Sequence, residues 1–256
     1  MLIDSHCHLD RIDLKPYQND FSLFVKEVEA HQIEHLLCIA IDLASYPAML
    51  ELVSDFKNIS VTVGVHPNVQ DAMEPSVQDL VTLGEAKKVI GIGETGLDYF
   101  RSEGDLDWQH QRFRNHIKAA KLLKKPLIIH TREAQEDTLR ILKEEGADEV
   151  GGIIHCFTED WEFAKKAIDI NFHISFSGII TFKNAVSIQE VAKKVPANRF
   201  LIETDSPYLA PTPFRGRPNY PTYVRYVAEQ IADLRGVTTT EIAELSTNNF
   251  YNLFQL

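Results

Sequence analysis

The sequence predicts a (β/α)8 barrel that occupies residues 1–256 as a single domain. Three observations carry that expectation. Eight short apolar, β-branched runs recur along the chain, helical spacing of apolar residues separates them, and no linker, internal repeat or low-complexity tract interrupts the alternation. A barrel of this type needs about 250 residues, and the chain has 256.

The first run, LIDSHCH (2–8), is apolar until polar residues appear at its end, as in a strand buried in a parallel sheet. FSLFVKEVEAHQ follows, with apolar residues three and four apart, and predicts the first helix. HLLCIAI (35–41), ISVTVGVH (59–66) and VIGIGE (89–94) are the next three strands. WQHQRFRNHIKAAKLLKK gives another helical pattern before the fifth strand, PLIIH (126–130). GGIIHCF (151–157), FHISFSG (172–178) and FLIETD (200–205) complete the eight, with the helical AVSIQEVAKKV between the last two. The proline-rich SPYLAPTPFRGRPNYP (206–221) reads as a loop over the barrel mouth. A doubly wound open sheet is the competing architecture. It is disfavoured because no strand is followed by G-x-G-x-x-G or by a P-loop.

Composition narrows the function. The net charge of −11 argues against sequence-independent coating of duplex nucleic acid, which needs a basic surface. Bound divalent ions would still let an acidic chain act on a phosphate ester. Cys7, Cys38 and Cys156 are widely spaced and form no C-x-x-C, which predicts a reducing, cytoplasmic setting and no disulfide framework. No apolar stretch approaches the roughly 20 residues of a membrane span, and no secretory leader is expected. No membrane association or obligate protein partner is predicted.

The strand ends hold the chemistry. The runs terminate in His6 and His8, His66, Glu94, His130, His155 and Asp205, and in a barrel these positions converge on one rim. One such coincidence means little, but so many are hard to explain by packing. With His66 read as a substrate contact, the remaining four imidazoles and two carboxylates suit Zn²⁺, Mn²⁺, Co²⁺ or Mg²⁺. A single catalytic ion typically takes three protein ligands, so six donors point to two ions that share a carboxylate. In the first strand, alternation turns His6 and His8 to one face and Cys7 to the helix layer. Cys156 is expected to turn the same way, so both thiols are read as small buried hydrophobes. His31, His35, His110, His116 and His173 are read as ordinary.

DSHCHLD (4–10), GVHP (64–67), GIGETGLDY (91–99), IIHTRE (128–133), HCF (155–157), SGIITF (177–182), ETDSPYLAP (203–211) and RGRPNYP (215–221) together resemble the TatD family of metal-dependent deoxyribonucleases, within the amidohydrolase-like superfamily. The resemblance spans essentially the whole chain. It implies a divalent-metal hydrolase of DNA phosphodiesters, a 3′–5′ exonuclease on single strands, whose substrate is a transiently bound DNA end. It implies that His6, His8 and Asp205 hold one ion, that His130 and His155 hold the other, and that Glu94 bridges them. The wider superfamily often bridges with a carbamylated lysine, whereas GIGE offers a carboxylate. Glu94 and Asp205 are the expected catalytic carboxylates, Asp205 also accepting a proton from the attacking water.

Substrate contacts are expected from His66, from Arg132 as a bidentate phosphate clamp, and from Arg215, Arg217 and Asn219 on the last loop. Asp4 and Glu203 are expected behind the ligands. Tyr99 and Phe100 can stack on a base or simply pack, and Lys183 is a weak phosphate candidate. The competing function is an amidohydrolase or lactonase that uses the same ions on a small neutral amide or ester.

Overall fold

A computed structural model describes residues 1–70 and 74–256. Its strands are β1 (Leu2–Cys7), β2 (Ile33–Cys38), β3 (Ile59–Val63), β4 (Val89–Asp98), β5 (Leu127–Arg132), β6 (Gly152–Ile154), β7 (Phe172–Phe176) and β8 (Phe200–Ile202). They form one eight-stranded parallel sheet in sequence order. β1 and β8 then meet at a seam. There the Asp205 amide donates to the His6 carbonyl at 2.9 Å, the His8 amide to the Ser206 carbonyl at 2.8 Å, and Ser5 Oγ to the Ile202 carbonyl at 2.9 Å. The sheet is therefore the predicted barrel, closed with no free edge at this rim.

The helices of the described residues are α1 (Phe21–Ala30), α2 (Tyr46–Leu52), α3 (Val77–Gly84), α4 (Asp107–Leu123), α5 (Gln135–Glu144), α6 (Trp161–Asp169), α7 (Val186–Lys194), α8 (Val224–Arg235) and α9 (Thr239–Phe254). Short polar side chains set several of their starts. Asp20, Asp160 and Thr238 accept from first-turn amides, and Ser76 with Asp79 closes a reciprocal capping box. Gly236 ends α8 in the left-handed region at φ 67°, where glycine carries no Cβ penalty.

The apolar side chains divide into two clusters by alternation along the strands, except that register shifts break the two-residue period in β1 and at β4. The larger lies between sheet and helices and includes Cys7, Leu36, Val61, Ile92, Leu127 and Phe172. The smaller fills the barrel interior with Ile3, Leu37, Ile39, Ile90, Ile128, Ile153 and Leu201, and Phe250 and Phe254 of α9 pack onto it. With that interior filled, the polar residues at the strand ends have an apolar layer beneath them.

The strand limits differ from the expected ones where the backbone changes conformation. β4 runs four residues past Glu94 because Thr95–Asp98 pair with Ile129–Arg132 of β5. β6 and β8 stop early, since Cys156 (φ 42°) and Asp205 (φ 58°) leave the extended region. Two glycines let the walls approach beside Glu94. A Cβ on Gly64 would lie 2.5 Å from the Gly93 carbonyl carbon, and one on Gly96 (φ 131°) 2.0 Å from the His130 oxygen.

Candidate metal centre

β1 turns His6 and His8 inward with ring centroids 5.1 Å apart, and His6 lies flat against His155 at 3.9 Å. Glu94, nearly inaccessible on β4, stands among four rings. Its Oε1 is 2.7 Å from His155 Nε2, 3.2 Å from His130 Nδ1 and 3.3 Å from His66 Nε2, and its Oε2 is 3.4 Å from His6 Nε2. Asp205 Oδ1 lies 3.3 Å from His8 Nε2 and 3.5 Å from His6 Nε2. The structure thus brings together all six residues expected as ligands.

An outer partner fixes which nitrogen of His8, His155 and His130 faces the centre, whereas the His6 ring has none. His8 Nδ1 lies 3.2 Å from the Ile39 carbonyl, an acceptor only, so it donates there and leaves Nε2 for the centre. His155 Nδ1 donates to Glu203 Oε1 at 3.3 Å, which likewise turns Nε2 inward. His130 is reversed: Nε2 donates to Asp98 Oδ2 at 3.0 Å and Nδ1 faces Glu94. His66 is the exception. Its Nδ1 accepts from the Asn68 amide at 3.0 Å, so in the neutral ring the proton sits on Nε2, and His66 points a donor at Glu94 rather than a lone pair.

Burial and neighbouring charge act against one another here. Burial pushes Glu94 up, but His155, His66 and His130 hold it well below the ordinary carboxylate range. Burial opposes charging His155, yet Glu94 and Glu203 raise it well above the usual imidazole value. His8 and His130 are also raised against burial, by Asp205 and by Asp98 with Glu94 respectively. Burial lowers His6 and His66. Asp205 is lowered by His8, His6 and His155 in spite of its burial.

These residues fit a divalent ion. His6 Nδ1 and Nε2 are buried without a hydrogen-bond partner, and the close approach of His155 Nε2 to Glu94 lacks hydrogen-bond geometry, an unfavourable state that a cation at the inward nitrogens would relieve. The mixed imidazole and carboxylate donors suit transition ions. Among the described residues, donor atoms within 4.8 Å of one another fall into three groups: His6, His8 and Asp205; His6, His155 and Glu203, which shares His6 with the first; and His66, Glu94 and His130. The first matches an expected set. The others add Glu203 and His66 to residues expected as ligands.

The supporting residues are placed as follows. Glu203 Oε1 accepts from His155 and, at 2.7 Å, from the Cys156 amide, behind a ligand as expected. Asp4 touches no imidazole ring. Its Oδ1 accepts from the His6 amide at 3.2 Å and the Thr204 amide at 2.9 Å, and its Oδ2 from Thr204 Oγ1 at 2.5 Å, tying β1 to the loop after β8. Burial pushes Asp4 up to about 8, against the hydrogen bonds from Thr204 and His6.

Sequence reasoning missed Asp98. It is fully buried, Oδ2 also accepts from Asn68 Nδ2 at 2.9 Å, and Oδ1 accepts from the Arg101 amide at 2.9 Å. The available signal was parity: Asp98 is four residues past Glu94 and shares its face if the strand continues. His116 is also more than a helix residue. Its Nε2 accepts from the Val65 amide at 2.9 Å, and Arg112 donates to the His66 carbonyl at 2.9 Å, so α4 sets the loop that carries His66.

At the rim, Arg132 is partly exposed, with its guanidinium carbon 3.8 Å from the Phe100 ring centroid. Arg215 and Arg217 are exposed, and Arg215 lies 4.1 Å over Phe182. Asn219, expected to touch substrate, is instead buried beneath the rim. Nδ2 donates to the Thr204 and Tyr208 carbonyls at 2.8 and 2.6 Å and Oδ1 accepts from the Tyr220 amide, so its polar atoms are spent on the loop. Tyr99 donates to Asp137 and contacts His110, each at 2.7 Å, and so packs rather than projects. Cys7 Sγ faces the helix layer, as alternation requires. Cys156 does not, because it lies beyond β6, with Sγ 3.3 Å from Ser177 Oγ.

The comparisons agree with this centre. The family model described as TatD related DNase matches residues 3–255. The uncharacterized metal-dependent hydrolase YcfH of Escherichia coli (strain K12) is 44% identical over 256 residues, covering 100% of this chain and 96% of YcfH. The uncharacterized metal-dependent hydrolase YabD of Bacillus subtilis (strain 168) is 42% identical over 259 residues and is covered, like this chain, in full. The crystal structure of YjjV, a TatD homolog from Escherichia coli K12, superposes with a TM-score of 0.90 at 26% identity, covering 100% of this chain and 98% of that one. The chain belongs to the TatD family of metal-dependent hydrolases.

Proposed function

We propose that the chain hydrolyses DNA phosphodiester bonds at strand ends, as a 3′–5′ exonuclease on single strands, with two divalent ions shared by Glu94. The observation that carries the reading is the position of Glu94, whose two oxygens face different sets of imidazoles. That is how a carboxylate bridging an ion pair must stand. His6, His8 and Asp205 would hold one ion, and His130 and His155 the other. The ions would lower the pKa of bound water and neutralise a phosphate.

The chain's own groups divide the remaining work. The Asp205 carboxylate takes the proton from the attacking water. His66 directs its Nε2 proton at a phosphate oxygen when substrate displaces it from Glu94. Arg132, two residues beyond His130 on β5, supplies a fixed cationic fork. These donors favour an anionic ester over a neutral amide or lactone, which needs no such clamp.

The test is hydrolysis of end-labelled single-stranded oligonucleotides with Mg²⁺, Mn²⁺ or Zn²⁺, alongside Glu94→Ala. We expect stepwise shortening from the 3′ end and its loss in the variant. Undiminished activity in Glu94→Ala, or none with every metal, refutes the proposal.

A further inference from the structure

We infer that Phe100 and Tyr208 form the two walls of a base-stacking clamp, so that the strand at the centre is unpaired on both sides of the reacting phosphate. The inference rests on the phosphodiesterase reading above and adds to it how the strand is gripped.

Every phenylalanine, tyrosine and tryptophan of the chain is buried or half-buried except these two, which are 55% and 48% exposed. Both lie on the rim that carries the centre. Phe100 is two residues beyond Asp98 at the end of β4, the strand of Glu94, and Tyr208 is three residues beyond Asp205. In a ring of eight strands, β4 and β8 stand opposite each other. Phe100 and Tyr208 are therefore carried on opposite sides of the mouth, Phe100 on the side of Glu94 and Tyr208 on the side of Asp205.

Neither ring is loose. The Tyr99 amide donates to the Arg132 carbonyl at 3.0 Å, and the Arg132 guanidinium covers one face of Phe100. The Tyr208 ring stands edge-on to His8 with centroids 5.8 Å apart. Its backbone is held by Asn219 Nδ2 at 2.6 Å and by the Asp205 carbonyl at 2.9 Å. Tyr208 is thus packed on His8 of the centre and Phe100 on Arg132 of β5, and ordering either wall costs little on binding.

The electrostatics make stacking necessary. A net charge of −11 denies the chain the broad counterion-release affinity of a basic groove, and the rim cations that adjoin the aromatics are few. Aromatic faces accept any base, which gives grip without sequence preference. Bases paired and stacked in a duplex cannot reach two opposed walls, so the clamp selects single strands or frayed ends.

The probe is a phosphorothioate-linked oligodeoxynucleotide with 2-aminopurine at its last two positions, added to the metal-loaded protein. We expect fluorescence quenching on binding. Phe100→Leu and Tyr208→Leu should each weaken binding on the order of five- to a hundredfold, equivalent to about 1–3 kcal/mol per stacked base. Tyr208→Phe should keep wild-type affinity. A matched strand abasic at those positions should bind the wild type more weakly, and the gap between the strands should narrow in the leucine variants. No binding, unchanged affinity in both leucine variants, or equal losses on the abasic strand overturns the clamp. Quenching without cleavage of an unmodified strand leaves the clamp standing and refutes the hydrolysis reading. Cleavage with unaffected variants does the reverse.

Discussion

Asp98→Asn offers the sharpest test of how the centre is held. Asp98 accepts three hydrogen bonds, from His130 Nε2 at 3.0 Å, Asn68 Nδ2 at 2.9 Å and the Arg101 amide at 2.9 Å. An asparagine has one acceptor oxygen. Aimed at His130 and Asn68, it opposes its NH2 to the Arg101 amide; aimed at Arg101, it opposes two donors. At least one contact is lost in either pose, and so is the charge that orients His130. A hydrogen bond to a charged group contributes roughly 1.5–3 kcal/mol, and removing a support behind a metal-bound histidine typically costs about 10–100-fold in affinity. The assay is chelator competition with Co²⁺ or Mn²⁺, monitored by circular dichroism for retained fold. We expect one binding event to weaken by about 10–100-fold and the His6, His8 and Asp205 event to stay within a factor of about three, because none of those three residues touches Asp98. If both events are unchanged, or both weaken together, Asp98 does not set His130 alone and the division of ligands is wrong.

Burial lowers His116 to about 4 from 6.5, so its folded value is depressed and the stabilisation is complete above pH 6.5 and lost as pH falls toward 4. The gap corresponds to roughly 3 kcal/mol. Thermal unfolding with chelator present should therefore show a shallower acid decline in His116→Gln than in the wild type; parallel curves would refute it. Phe250→Ala opens a cavity beneath the barrel interior, and urea titration should show a loss of about 3–5 kcal/mol. Asn219→Ala leaves the Thr204 and Tyr208 carbonyls unpaired, and at about 1–3 kcal/mol each should lower both the thermal midpoint and strand binding. An Asn219→Ala protein that kept full stability and lost only substrate affinity would return that residue to the rim.

The candidate ligands are legible because barrel geometry converts a local property, a polar residue at the end of an apolar run, into a spatial one. That rule selects His6, His8, Glu94, His130, His155 and Asp205 together with His66, and the family resemblance sets His66 apart. Asp98 was hidden because its strand seemed to end at Glu94, and only pairing with Ile129–Arg132 prolongs it. Asn219 was misplaced because a polar residue in a proline-rich loop looks exposed, whereas three backbone groups fold around it. Cys156 escaped alternation because a positive φ cancels the strand period. The donor role of His66 depends on the Asn68 amide, a tertiary detail with no residue pattern. The packing of α9 onto the barrel interior likewise emerges only when the closed barrel offers that cluster a neighbour.

The seam between β1 and β8 joins residues 200 positions apart in the chain, as Asp4 and Thr204 are. His6, His8 and Asp205 sit across it, so no growing chain carries both halves of that donor set until nearly every strand has been made. Each nascent chain consequently lacks the complete donor set until the ring shuts. A product broken off before residue 205 has the His-x-His and still lacks the carboxylate opposite it. An ion held there would fasten the first strand to the last, a clasp that would reward closure and tie reactivity to completed folding.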